Sequence, residues 1–148
     1  MEVRAFVKRL RPDAALPTYA HGPHEDAGLD LMYCGKETVM LAPGARASCP
    51  TGIAIQLPPG FEGQVRPRSG LALSRGLTVL NAPGTVDPGY RGEITVLLIN
   101  LSSEHQKIEP GERIAQLVVA EYAELRLEEV QKLGESERND GGFGSTGT

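Results

Sequence analysis

Short apolar stretches alternate along the chain with breaks rich in glycine and proline, and within the stretches the period is mostly two. Val3, Ala5 and Val7 alternate with Arg4, Phe6 and Lys8, which predicts a strand. Leu10–Gly28 holds Pro12, Pro17, Gly22 and Pro23 and reads as loop. Strands are predicted at Leu29–Cys34, Glu37–Leu41, Ala45–Cys49, Gly52–Leu57 and Phe61–Arg66, separated by Gly35, Ala42-Pro43-Gly44, Pro50 and Pro58-Pro59-Gly60. One short helix is predicted at Ser69–Arg75, with Ser69 capping its start and Gly76 ending it. Strands resume at Leu77–Asn81, Glu93–Leu101, Gln106–Ile108, Arg113–Glu121 and Leu125–Val130. Ile94, Val96 and Leu98 share one face, while Thr95, Leu97 and Ile99 share the other. Both faces are mostly apolar, which places this strand between two layers or at a subunit interface. Many short strands at close spacing predict an all-β fold, a jelly-roll-like β-sandwich or barrel with one short helix.

Composition agrees with that reading. Gly and Pro supply 18 and 11 of the 148 residues, well above an average protein, and serve as punctuation between short elements. No internal repeat or linker divides residues 1–130, which are expected to form one domain. Residues 131–148 differ: they hold five glycines and no aliphatic residue after Leu133, so they are expected to form a flexible C-terminal arm.

Charge and special residues narrow the function further. No apolar run exceeds four residues, far short of the roughly 18 a membrane helix needs. Glu2, Arg4, Lys8 and Arg9 interrupt the first apolar stretch, so no signal-peptide core is expected and the location is expected to be cytoplasmic. A net charge of −4 argues against a nucleic-acid or anionic-membrane partner, but not against a small anion in a locally basic pocket. Cys34 and Cys49 show no metal-binding spacing and no disulfide framework, and read as reduced thiols. His21, His24 and His105 are too scattered for a zinc site.

Five stretches combine special backbone residues with polar groups, and each alone also reads as ordinary turn chemistry or a solvated surface. Glu25-Asp26-Ala27-Gly28-Leu29-Asp30-Leu31 places carboxylates at a loop-to-strand junction, where one can hold metal-bound water. Arg66-Pro67-Arg68-Ser69-Gly70 brings two arginines and a hydroxyl to the start of the predicted helix, a combination that favours phosphate. Asn81–Gly92 is a Pro- and Gly-rich hairpin that suits close backbone approach, with Asp87 as a candidate general base. In Gly111–Val118, Ile114, Gln116 and Val118 are expected to share a strand face, so the Gln116 amide needs a partner. The arm stretch Arg138–Gly147 has glycines, Ser145 and Thr146 to offer phosphate, but lacks the Lys of a Walker A loop.

In this order and spacing the five stretches resemble the motifs of the homotrimeric dUTPase family, from about Ala5 to Thr146. The sharpest matches are Arg66–Ala72, Gly84–Ile94, Gly111–Val118 and Gly141–Gly147. One departure is Asn139, which stands where the family has Gly after the arm arginine. Asn tolerates left-handed backbone better than most residues.

The resemblance implies hydrolysis of dUTP to dUMP and pyrophosphate by in-line attack of water on the α-phosphorus, supplying dUMP for thymidylate synthesis. It implies Asp87 as the base and Mg²⁺ on the triphosphate, with Asp30 holding the metal's water. Arg68, Ser69 and Gln116 would contact the α- and β-phosphates, and Arg138, Ser145 and Thr146 the γ-phosphate. Asn81, Gly84, Val86 and Tyr90 would receive uracil and deoxyribose, and Phe143 would stack on the base. The resemblance also implies a homotrimer with shared active sites. Two other readings use the same frame: a nucleotide-binding relative without turnover, and a dCTP deaminase. The presence of Asp87 opposes the first, and the glycine arm opposes the second.

Overall fold

The computed structural model describes residues 1–147, and its regular structure is antiparallel strands with one short helix. They are β1 (Phe6–Arg9), β2 (Leu29–Met32), β3 (Val39–Leu41), β4 (Arg46–Pro50), β5 (Ile53–Gln56) and β6 (Phe61–Arg66). The helix α1 (Ser69–Arg75) follows, then β7 (Leu77–Val79), β8 (Gly84–Val86), β9 (Thr95–Asn100), β10 (Gln106–Ile108) and β11 (Arg113–Glu121). A four-stranded sheet runs β2-β11-β6-β8 and a three-stranded sheet runs β4-β9-β7; β1 pairs with β5, and β10 with β3. This is the jelly-roll-like sandwich that the strand spacing predicts. Among the described residues, no helix is long and apolar enough to cross a membrane.

The core lies between the sheets. Leu31, Leu41, Cys49, Ile53, Leu77, Val96, Leu98, Ile108, Ile114 and Ala115 are almost inaccessible to solvent. Along β9 the predicted alternation holds on one side only. Val96, Leu98 and Asn100 are buried, whereas Leu97 is exposed on the opposite face. The buried Asn100 amide is satisfied: its Nδ2 donates to the Leu41 and Glu104 carbonyls, and its Oδ1 accepts from Ser102.

Helix α1 occupies the residues predicted for it, and Gly76 ends it in the left-handed region at φ 61. There a Cβ would sit 2.9 Å from the Ser102 backbone nitrogen, so conformation and space both require glycine. Its start differs from expectation. Arg68 holds the capping position without a side-chain hydrogen bond, and Ser69 is the first helical residue.

Four further expectations change. The first strand is Phe6–Arg9 rather than one spanning Val3, Ala5 and Val7, and it is exposed along its length because it covers only the margin of the sandwich at β5. Gly84–Val86 forms a strand inside the Pro- and Gly-rich hairpin, since β6 offers it a free edge. Leu125–Val130 forms no strand: Leu125 and Leu127 stand 78% and 83% exposed, with no strand beside them in the chain. In β11 a register shift between Arg113 and Ala115 buries two successive residues, Ile114 and Ala115. It takes Gln116 off the core face, which carries Ala115 and Leu117 instead.

Candidate active site

The register of the four-stranded sheet gathers three of the motifs. Gln116 pairs with Asp30 on β2 and with Arg66 on β6, so these residues form one row across the sheet. Pro67, Arg68 and Ser69 follow directly and carry the chain from that row into α1. Asp30 is buried, and its carboxylate meets Arg68 Nε at 3.2 Å and Arg113 Nη1 at 3.4 Å. Arg68 also donates to the Arg113 carbonyl at 3.3 Å. Gln116 Nε2 donates to the Pro67 carbonyl at 3.0 Å, which is the partner its amide needs. Gly28 makes room for that amide: a Cβ there would lie 2.4 Å from Gln116 Oε1.

The arrangement is a basic row around one buried carboxylate. Arg113 joins the row without a role of its own in the sequence pattern; its place at the mouth of β11, three residues before Gln116, is the available signal. Asp30 Oδ2 is buried and makes no hydrogen bond within the chain, its contact with Arg113 Nη1 at 3.4 Å being an ion pair only, so it can still accept from a bound water. Among the described residues no three His, Cys, Asp or Glu side chains cluster as a metal cage. A single carboxylate with a spare acceptor fits a magnesium ion carried mainly by substrate phosphates and water, and not one held by protein alone.

Beyond β6 on the same sheet lies the hairpin. A cavity of about 300 Å³ opens there, lined by Asn81, Gly84, Val86 and Tyr90 and by Thr95 and Leu97 of β9. This explains the second apolar face of β9: part of it walls the cavity. The Val86 side chain is buried, and Gly84 lies close to Asn81, with a Cβ at Gly84 falling 3.2 Å from Asn81 Nδ2. Tyr90 is held on two sides. Its hydroxyl donates to the Glu93 carbonyl at 2.8 Å, and its ring lies against Gly92, where a Cβ would stand 2.6 Å from Tyr90 Cζ. Glu93 is itself fixed, because its Oε2 accepts from Arg11 Nη2 at 2.8 Å and from the Gly52 N–H at 2.9 Å. Neither Glu93 nor Arg11 was singled out from sequence, since they lie far apart in the chain. Asp87 is exposed at the end of β8, at the lip of the hairpin. The turn that carries it is stapled by Tyr90 N–H to the Asp87 carbonyl at 3.1 Å and by Arg91 Nη1 to the Pro88 carbonyl at 2.6 Å.

The arm is not brought to this site within the chain. Residues 131–140 are exposed throughout, and Phe143 is fully exposed. Arg138 Nε donates to the Gly141 carbonyl at 2.7 Å, and the Gly141 N–H returns a bond to the Arg138 carbonyl at 3.0 Å. Asn139 adopts φ 45, the left-handed backbone that Gly would adopt freely, and exchanges hydrogen bonds with Ser136. Ser145 caps a turn with Gly142, and Thr146 is exposed.

Comparison with known proteins gives this geometry a context. Residues 14–147 match the model of the dUTPase family. The deoxyuridine 5'-triphosphate nucleotidohydrolase of Hydrogenobaculum is 53% identical over 145 residues, covering 98% of this chain and 99% of that one. The enzyme of the same name from Clostridium kluyveri is 55% identical over 143 residues, 97% of each chain. Among solved structures, the Staphylococcus bacteriophage 80alpha dUTPase with dUPNHPP aligns with a TM-score of 0.86 at 29% identity, over 98% of this chain and 99% of the phage enzyme. With the family model matched over residues 14–147 and relatives more than half identical over nearly the whole chain, the chain belongs to the dUTPase family, enzymes that hydrolyse dUTP.

Proposed function

We propose that the protein cleaves dUTP to dUMP and pyrophosphate at a site completed by neighbouring copies in a homotrimer. It would act on the cytoplasmic nucleotide pool and supply dUMP for thymidylate synthesis. The observation that carries the reading is the presence of two unlike features along the β2-β11-β6-β8 sheet, the second of them walled also by β9 of the other sheet. One is a guanidinium-rich row suited to phosphates, and the other a cavity of a size and polarity suited to a pyrimidine nucleoside.

The chemistry follows from what each group offers. Asp87 is exposed, follows Val86 of the cavity wall in the chain, and orients the attacking water and removes its proton. Arg68, Ser69 and Gln116 bind the α- and β-phosphates, and Arg138 with Ser145 and Thr146 closes on the γ-phosphate. The arginines meet charge that grows on the leaving pyrophosphate, where electrostatic stabilisation counts most. Mg²⁺ on the triphosphate would neutralise its charge, and Asp30 would hold the ion through water. The hairpin backbone and the Asn81 amide match the acceptor–donor–acceptor edge of uracil. Cytosine reverses two of those positions and leaves buried groups unpaired, at about 1–3 kcal/mol each. Tyr90 closes the space a 2′-hydroxyl needs, and Phe143 stacks over the base from the arm.

Sharing between copies is supported by the exposure of the arm. Residues 131–148 extended span up to roughly 60 Å, enough to cross a molecule of this size. The test is complementation. Asp87→Asn and a chain cut after residue 130 should each be nearly inactive, by roughly 10²–10⁴-fold for the missing base. Co-refolded together they should regain activity, because one copy lends Asp87 and the other its arm. If the mixture gives only the sum of the two variants, each chain completes its own site and the shared-site reading fails.

A further inference from the structure

Helix α1 carries Ser69 at its first residue and has Arg68 immediately before it, yet none of its own residues is fully buried. Leu71 packs part of its side chain against the core, and the rest of the helix's placement depends on contacts at its ends. At the first end, Arg68 reaches the Asp30 carboxylate at 3.2 Å and the Arg113 carbonyl at 3.3 Å. At the last end, Arg75 binds three acceptors from a different part of the fold. Its Nε donates to Gln106 Oε1 at 3.2 Å, its Nη2 to the Lys107 carbonyl, and its Nη1 to the Glu112 carboxylate. Glu112 is itself held, because its other oxygen accepts the Glu109 N–H at 3.0 Å. Arg113 and Glu112 are adjacent at the entrance to β11, so one short segment grips both ends of the helix.

We propose that Arg75 and Glu112 form a positioning pair that sets α1, and through it Arg68 and Ser69, against the phosphates of the substrate. Neither residue touches the substrate; both act through the helix. This rests on the reading of Arg68 and Ser69 as phosphate contacts. The guanidinium is suited to the task because its donors are fixed in one plane and can serve Gln106, Lys107 and Glu112 together. A lysine has one point of charge and cannot span all three. The pair also accounts for Glu112 in a motif whose other polar members, Arg113 and Gln116, face the row.

The experiment compares ligands with and without phosphate. Arg75→Ala, Glu112→Gln and the double variant are assayed for dUTP turnover. They are also assayed for competitive binding of a non-hydrolysable dUTP analogue and of deoxyuridine, which keeps base and sugar only. We expect the analogue to bind about tenfold more weakly to Arg75→Ala, with deoxyuridine unchanged within about twofold. The value of kcat/KM should fall roughly 10- to 100-fold through misplacement of the phosphate groups. Arg75→Lys should recover part of the loss, and the double variant should be no worse than Arg75→Ala, because the two residues form one contact. Equal weakening of both ligands, or no change in either, overturns the proposal; Glu112→Gln decides the point if Arg75→Ala does not fold. Arg68→Ala serves as the control on the underlying reading. If it leaves analogue binding intact, the phosphate assignment itself is wrong and the positioning role falls with it. If it weakens the analogue while Arg75→Ala does not, only the positioning role is lost.

Discussion

Replacing Gly92 with alanine tests whether Tyr90 guards the sugar. The new Cβ would lie 2.5 Å from Tyr90 Oη, 2.6 Å from Cζ and 2.9 Å from Cε2. Ordinary carbon contacts are about 3.5–4.0 Å, so the ring must retreat by about 1 Å. That retreat breaks the 2.8 Å bond from the hydroxyl to the Glu93 carbonyl, at about 1 kcal/mol. Gly92 is not among the glycines with positive φ, so alanine adds no backbone strain and the effect isolates the ring. Tyr90 is 45% exposed and can swing outward without opening the core. The melting temperature should therefore drop by only about 2–4 °C. The ratio of kcat/KM for dUTP over UTP should fall about tenfold, the scale on which a pocket wall discriminates one hydroxyl. Tyr90→Phe, which loses the hydrogen bond and keeps the ring, should fall less. Pyrophosphate release from both nucleotides measures the ratio. A Gly92→Ala protein that keeps the ratio within about twofold refutes the role given to the Tyr90 ring.

Three other outcomes follow from the same geometry. Gly28→Ala should displace the Gln116 amide from the Pro67 carbonyl and raise KM for dUTP about tenfold with little change for deoxyuridine, read by steady-state kinetics and competition. Truncation after residue 130 should leave the melting temperature within about 2 °C, because the removed residues up to 140 and Phe143 are exposed, while turnover falls at least about a hundredfold. Burial pushes the Cys49 thiol up to about 11 from 9.0. The thiolate forms more easily in the unfolded chain, so this stability is whole below pH 9 and is lost as pH rises towards 11, by about 2–3 kcal/mol. Denaturant titrations of Cys49→Ala across that range should show a correspondingly flatter decline.

Much of this was legible in the chain because local signals and tertiary structure agree. The breaks at Pro58-Pro59-Gly60 and Gly76 end elements where they should, and β6, β10 and β11 fall on the residues their alternation marks. The failures have physical causes. Leu125–Val130 has the period of a strand, but a strand needs a partner, and alternation is blind to whether one exists. Gly84–Val86 holds two β-branched residues, but the Pro and Gly around them read as a loop, and it becomes a strand because β6 leaves an edge beside it. The register shift at Arg113 moves Gln116 between faces, and no periodicity in the sequence announces it. The candidate site divides along the same line. Asp30, Arg68 and Gln116 were recognisable one by one, but their meeting is a matter of register. Glu93 and Arg11 meet over a long sequence separation and leave no local mark, whereas Arg113 is marked only by its place three residues before Gln116.

The most direct test of the central claim is pyrophosphate release from dUTP, UTP, dCTP and dTTP, each with magnesium and with a chelator in its place. The account predicts rapid release from dUTP alone, lost with the chelator. Release from UTP or dCTP at a similar rate, or release from dUTP indifferent to the chelator, would contradict it.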